Sequence, residues 1–396
     1  MDSELATHPL ACLVRRLAAL LLVAGNDHAP RRALPGSVPD AHSGASNCGF
    51  QDESNRKFDM RQLTFAILRR LSDGNYHSGT ALGRALKVSR ASISNTLRDL
   101  ESYGLTIHKI PGRGYRWLNP VQWLDSEQIR QHLAEYADFI QIEIVEAIES
   151  TNSLLLQRAV EQGISANRIK QVLVTELQTQ GRGRRGRSWS SGLGDSLTFS
   201  VLWPSQCPVN TLSGLSLAVG VAIVRALTSL DIRDIALKWP NDVLSGSHAK
   251  LAGVLIELHG DMLSLGTVVI GIGLNLRLSD VTKNQIDQKV TDITSITGQM
   301  PDRNQLLAVL LKELAGVLDT FERHGFEPFI EEWTRYHAYQ DKMVQVSFAD
   351  DSVRNGVAIG VAADGALLID TLTGVVQLRS GEISLRDLVE HSGPFN

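Results

Sequence analysis

The densest chemistry in the sequence is a run of seven residues, Gly181-Arg182-Gly183-Arg184-Arg185-Gly186-Arg187, followed by Ser188-Trp189. Its three glycines allow close backbone approach and dihedrals closed to other residues. Its four arginines place guanidinium forks on whatever the loop closes over, a combination suited to phosphate and carboxylate groups. The run lacks the spacing and the Lys-Ser/Thr ending of a Walker A loop. Nor is it a dinucleotide fingerprint, because a basic run sits where the helix should open. Taken alone, it reads equally as a solvated basic loop that binds RNA or nothing.

Four further segments could contribute to a site. Ser150-Thr151-Asn152 closes a strand and opens a helix; its small polar side chains suit a neutral polar ring such as a urea, and taken alone they suit a helix N-cap. Lys238-Trp239-Pro240-Asn241-Asp242 ends a strand, where it could contact phosphate or a metal, or simply be a turn with a surface lysine. Lys250-Leu251-Ala252-Gly253 starts the next strand. Gly271-Ile272-Gly273-Leu274-Asn275 follows an apolar strand, with glycines where a ligand could approach the backbone. No CxxC pair or Cys/His cluster occurs: Cys12, Cys48 and Cys207 are far apart, so neither a protein-built metal site nor a disulfide framework is expected.

The elements that must position these residues follow from length and patterning. A chain of 396 residues exceeds a single core and implies two or three domains. With 43% hydrophobic and 21% charged residues and a net charge of −4, it has the composition of a soluble globular protein, and any nucleic-acid contact must come from a local basic surface. No apolar run approaches the roughly 20 residues of a membrane span. Arg15 and Arg16 precede a short apolar stretch at 17–24, but Asp2 and Glu4 argue against a secretory leader. Residues 25–57 are rich in Pro, Gly, Ser, Asn and Asp, so residues 1–58 read as a poorly ordered extension, with Met60 as a candidate start.

Helical spacing of Leu63, Ile67, Leu68 and Leu71, short helices at 80–86 and 90–103, and strand-like runs at 105–109 and 115–118 joined by Pro111-Gly112-Arg113-Gly114 spell a winged helix-turn-helix over 60–120. Ser89 suits an N-cap and Gly104 a helix end. Strands at 140–147, 171–177, 197–203, 235–239, 251–258 and 265–271 alternate with helices at 154–162 and 213–230; helices at 305–324 and 328–337 complete a mixed α/β domain over 135–338. Short strands at 342–385 form a small β-barrel-like module within a third domain, 342–388. The fold class is α+β multidomain.

In order and spacing, Ser-Thr-Asn, then Gln178 ahead of GRGRRGR-x-W, then KWPND, KLAG and GxGxN resemble the biotin–protein ligases, and among them the bacterial enzymes that double as repressors of the biotin operon. The resemblance covers about residues 60–388. It implies a class II synthetase-like central domain, an SH3-like C-terminal barrel and a cytoplasmic enzyme that makes biotinyl-5′-AMP from biotin and ATP with Mg2+. A lysine of a biotin carboxyl carrier protein would then receive the biotin. The catalytic charges would be Arg182, Arg184 and Lys250. Biotin would meet Ser150, Thr151, Asn152, Gln178, Arg182, Gly183, Arg184 and Lys250, and the adenylate would meet Trp189, Lys238, Asn241, Asp242, Gly271, Gly273 and Asn275, the last suited to adenine. The resemblance also implies operator DNA and a ligand-promoted homodimer as partners.

DNA contact is a separate expectation. Arg84, Arg90 and Arg98 can neutralise phosphates, while Ser89, Ser92 and Asn95 can reach base edges, and Arg113 and Arg116 add charge on the wing. A winged helix kept for protein contacts, a small-molecule sensor without catalysis, and a lipoate-specific ligase remain open alternatives at this level.

Overall fold

The computed structural model describes residues 52–98, 100, 105–162, 170–259, 265–348, 352–379 and 384–387, and the chain divides into two compact units, 1–121 and 122–396. In the first unit, α1 (Asp52–Leu71), α2 (Gly79–Leu86) and α3 (Arg90–Arg98) precede an antiparallel wing of β1 (Ile107–Ile110) and β2 (Gly114–Trp117). The apolar stripe of α1, Leu63, Ile67, Leu68 and Leu71, is buried, as are Leu82 of α2 and Ile93 and Leu97 of α3. Ser78 and Ser89 cap α2 and α3, each accepting a backbone N–H at 3.0 Å, from Ala81 and Ser92. Gly114 seats the wing. At its φ of +106° a Cβ would lie 2.1 Å from the His77 carbonyl oxygen, so a side chain there would break the His77–Tyr115 bridge.

Helix α1 begins at Asp52 and so takes in residues 52–58, which composition assigns to an extension. The basic-apolar stretch at 15–24, Cys12, Cys48 and Gly104 lie outside the described residues.

The second unit is built on a mixed sheet of seven strands. In chain order these are β3 (Ile140–Ile148), β4 (Lys170–Gln178), β7 (Ser196–Pro208), β8 (Ile235–Lys238), β9 (Asp242–Ser245), β10 (Lys250–His259) and β11 (Leu265–Asn275). Between β4 and β7 lies a separate ribbon of two short strands, β5 (Gly181–Arg182) and β6 (Ser188–Trp189). The spatial order of the sheet is β3-β4-β7-β11-β10-β9-β8, with β3 and β4 parallel and the other pairs antiparallel. The two parallel strands require a crossover, which α5 (Thr151–Gln162) supplies; α4 (Ser126–Leu133) precedes the sheet.

Strand periodicity separates the faces. Val172, Val174, Val201, Ile270, Ile272 and Leu274 join the main core with α6 (Leu215–Ser229), which is apolar nearly all round and buried accordingly. Leu173 and Val269 instead meet Leu155 of α5.

After α7 (Asp280–Lys283) and α8 (Ile293–Thr297), the long α9 (Arg303–His324) packs against α6, and α10 (Ile330–Arg335) follows. The chain then forms a five-stranded antiparallel sheet, ordered β15-β14-β13-β12-β16, from β12 (Met343–Ser347), β13 (Val353–Val361), β14 (Leu367–Thr371), β15 (Gly374–Leu378) and β16 (Ser384–Asp387). Val344, Val346, Ala358, Leu367 and Ile369 of this sheet belong to the main core.

His337 sits at that junction, its ring 4.7 Å from Trp333 and 6.4 Å from Tyr339, centroid to centroid. Burial pushes its imidazole down from the usual 6.5 to about 4, against the opposing hydrogen bond to Gln340 Oε1. The unfolded chain therefore binds a proton across that interval that the folded chain refuses. The resulting stability is fully present above pH 6.5 and is lost as the pH falls toward 4, about 3 kcal/mol in all. His337→Phe is expected to flatten the unfolding midpoint against pH over this window; an unchanged slope would sink the assignment.

Candidate functional site

The face of the sheet opposite the main core carries a cleft, and the local sequence explains each of its walls. The Ser-Thr-Asn turn ends β3 and opens α5; Ser150, Thr151 and Asn152 are all buried. The Thr151 backbone N–H and hydroxyl both donate to Gln178 Oε1, at 2.9 and 3.1 Å. The Ser200 hydroxyl lies 2.7 Å from Thr151 Oγ1 and 2.5 Å from Asn152 Oδ1. These side chains are locked before any ligand arrives, so they present a fixed polar surface.

The floor is glycine because its neighbours leave no room. A Cβ at Gly271 would fall 2.2 Å from Asn152 Oδ1, and one at Gly273 would fall 2.4 Å from the Trp189 indole.

The arginine loop closes one side of the cleft. Its root is the β5–β6 pairing of Gly181 with Trp189 and Arg182 with Ser188. At its tip, Gly183 N–H donates to Arg187 O at 2.7 Å, and Arg185 and Gly186 take left-handed φ values of 59° and 73°. Arg184 is partly buried and donates to Asn241 Oδ1 at 3.5 Å. Burial lowers its pKa, with Asp242 opposing and the neighbouring Arg185 and Arg187 adding to the fall. A guanidinium still keeps its proton, so Arg184 is a partly desolvated fixed cation facing the cleft.

The opposite wall is the β8–β9 hairpin. Trp239 Nε1 donates to Gly365 O at 2.9 Å and Ser216 Oγ to Pro240 O at 3.0 Å, which anchors the turn to the C-terminal sheet and to α6. Asn241 Nδ2 donates to Val254 O at 2.8 Å. Asp242 is thereby aimed at Lys250, whose Nζ is 2.8 Å from Asp242 Oδ1 and 5.8 Å from the Trp189 ring centroid. An ammonium paired to one carboxylate beside partly buried guanidinium groups can receive a polyanion whose charge grows during reaction.

The structure thus brings Ser150, Thr151, Asn152, Gln178, Arg182, Gly183, Arg184, Trp189, Lys238, Asn241, Asp242, Lys250, Gly271 and Gly273 to one cleft. Asn275 lies apart from this set. It is 2% exposed, and its amide is spent inside the fold. Nδ2 donates to Thr291 O at 3.0 Å and to Lys250 O at 3.4 Å, and Oδ1 accepts from Ser196 at 3.1 Å. It pins the backbone of Lys250 and is not among the residues that line the cleft.

The cleft also takes in Thr198 and Gln288, which the sequence reading did not select, and Arg185 and Arg187, which it named in the loop without a separate role. Gln288 had no local signal: it reaches the cleft because Lys250 N–H donates to Lys289 O, and Thr291 N–H to Lys250 O, both at 2.9 Å.

In the other unit, Arg84, Ser89, Arg90, Asn95 and Arg98 are exposed and Ser92 is half-buried. Arg98 donates to Asn95 Oδ1 at 3.0 Å, and the Ser89 and Ser92 hydroxyls bond to each other. On the wing, Arg113 and Arg116 both lie over Tyr76, at 5.9 and 5.8 Å.

Comparisons with known proteins fit this geometry. Residues 144–275 match the biotin/lipoate A/B protein ligase family, 61–116 an HTH domain, and 341–386 the biotin protein ligase C terminal domain. The bifunctional ligase/repressor BirA of Salmonella typhimurium is 34% identical over 82% of this chain and 98% of its own length. That of Escherichia coli K12 is 32% identical over 81% of this chain and 96% of its own. The solved biotin protein ligase of Aquifex aeolicus in complex with biotin and ATP superposes with a TM-score of 0.53 at 29% identity, over 62% of this chain and 99% of that one.

Proposed function

Because the chain belongs to the biotin/lipoate A/B protein ligase family, in the branch that joins the ligase to an HTH domain, we propose that it activates biotin with ATP, transfers it to a carrier-protein lysine, and represses biotin genes in response. The observation that carries this reading is the single cleft in which the arginine loop, the Ser-Thr-Asn turn, the Lys250–Asp242 pair and two glycines converge.

In the first step a biotin carboxylate oxygen bonds to the α-phosphorus of ATP, and the bond from that phosphorus to the β-phosphate oxygen breaks, releasing pyrophosphate. Arg182, Arg184 and Lys250 meet the negative charge that develops, a task that needs electrostatics more than covalent help. Ser150, Thr151, Asn152, Gln178 and Gly183 hold biotin. Lys238, Asn241, Asp242, Gly271 and Gly273 meet the nucleotide, with Trp189 covering the mixed anhydride against water. In the second step a neutral lysine amine of the acceptor attacks the anhydride carbonyl; AMP leaves and the amine gives up a proton.

Asp242 is the one carboxylate lining the cleft, and no cluster of three metal-ligating side chains occurs among the described residues. That donor set suits Mg2+ carried by phosphate oxygens and water, with Asp242 as an outer contact. The ion would supply charge neutralisation on the triphosphate.

We read the domains as 60–120, 135–338 and 342–388, the central one class II synthetase-like and the last an SH3-like barrel. Among the described residues no helix is long and apolar enough to cross a membrane. A cytoplasmic location is part of the same proposal, carried by the family resemblance. The repressor half requires operator DNA and a homodimer that the adenylate favours, which demands tighter adenylate binding by dimer than by monomer. Sedimentation with biotin and ATP, beside DNA binding at fixed salt, separates ligase from repressor.

The test of the ligase is incubation with ATP, Mg2+, biotin and a biotin carboxyl carrier domain, read by mass. One biotin per carrier domain is expected; transfer of lipoate in its place would overturn the substrate assignment. Within this reading, Gly273→Ala should displace Trp189 and raise the KM for ATP about tenfold, as a Cβ cannot share the indole's space. An unchanged KM for ATP would remove Trp189 from the nucleotide site.

A further inference from the structure

Behind the cleft wall, on β10, stands a carboxylate that does not itself line the cleft but grips two residues that do. Glu257 Oε2 accepts from Arg182 Nη2 at 2.6 Å and from Asn152 Nδ2 at 3.0 Å. Arg182 opens the arginine loop, and Asn152 belongs to the Ser-Thr-Asn turn, so one oxygen ties together two separate walls. Among the described residues, Arg182 is the only one of the loop's four arginines that forms an ion pair. The other Asn152 amide proton goes to Leu255 O at 3.2 Å, which leaves Oδ1 lying over Gly271 at the cleft floor.

We propose that Glu257 is a positioning residue for biotin. The inference rests on the biotin reading of the cleft. Arg182 is 43% exposed and Glu257 22%, so without its partner the guanidinium would be free to swing into solvent. It would also be repelled by the three cations that follow it in the loop. A carboxylate on a core strand removes that freedom before biotin binds, and the cost of ordering Arg182 is then not charged to the ligand. The same oxygen takes one of the two Asn152 amide protons, so both biotin contacts share one acceptor. Its two hydrogen bonds go to Arg182 and Asn152, not to Asn241 or Asp242 of the nucleotide wall.

The test uses the full chain and pyrophosphate release with biotin and ATP varied in turn. Glu257→Ala should raise the KM for biotin about tenfold, the scale for losing a hydrogen-bonded charge partner, and leave the KM for ATP within about twofold. Glu257→Gln keeps an acceptor of the same shape without the charge and should fall between wild type and Ala. Should Glu257→Ala fail to fold, the Gln variant still carries the test, with a rise of about threefold. Because Glu257 acts through Arg182, adding Glu257→Ala to Arg182→Ala should cost less than the product of the two separate effects.

A wild-type KM for biotin in the variants would overturn the proposal. So would equal rises in both KM values, or a Gln variant no better than Ala. Wild-type protein that releases no pyrophosphate with biotin would overturn the biotin reading as well. An active wild type with an indifferent Glu257→Ala overturns this proposal alone.

Discussion

Replacing Lys250 by alanine is expected to slow biotin-dependent pyrophosphate release by about 10²–10³-fold, the scale for removing one preorganised charge from a developing anion. The side chain is 17% exposed and is held at its carboxylate and over its indole, so it enters the reaction already oriented. Its backbone is fixed as firmly, by Lys289, Thr291 and Asn275. Truncation also leaves Asp242 without its counter-charge, next to the incoming triphosphate. The rate should therefore fall more than the affinity for biotin, and single-turnover kinetics can separate the two. Pyrophosphate release near the wild-type rate would reduce Lys250 to a strand-opening lysine with no part in the chemistry.

The second large effect falls on stability. Arg303 on α9 and Glu176 on β4 form an ion pair at 2.6 Å in which neither side chain is exposed. The pair clamps the chain entering the unit: Arg303 Nη1 also donates to Gln122 O at 2.6 Å, and Glu176 Oε1 accepts from Leu124 N–H at 2.7 Å. Glu176→Ala strands a buried guanidinium and is expected to cost about 3–5 kcal/mol in urea unfolding. The double variant Glu176→Leu with Arg303→Met should recover part of that loss, because it removes both charges from the core while leaving Leu124 N–H and Gln122 O without these partners. Equal losses in the single and double variants would show that shape, not charge, sets the cost.

What the sequence by itself determined was local. The helix-turn-helix and its wing follow from apolar spacing and from the Ser89 cap, and the ligase strands from their alternation, because both patterns are written within a few residues of each other. The charges and hydrogen bonds that the arginine loop, the Ser-Thr-Asn turn and Lys250 can offer were legible from their side-chain types, whereas their roles were implied only by the order and spacing in which they resemble the biotin–protein ligases.

Tertiary structure alone decided who faces whom. Asn275 looked like an adenine contact, yet its bonds run to Ser196, Lys250 and Thr291, on three other segments, and they draw it inside. Gln288 reaches the cleft only because its loop bonds to the backbone of Lys250. Glu257 carries no motif of its own; its position 75 residues beyond Arg182 in the chain, yet 2.6 Å away in space, follows from the packing of the sheet. Long-range pairings of this kind depend on strand order and register, which residue types and spacing do not encode position by position.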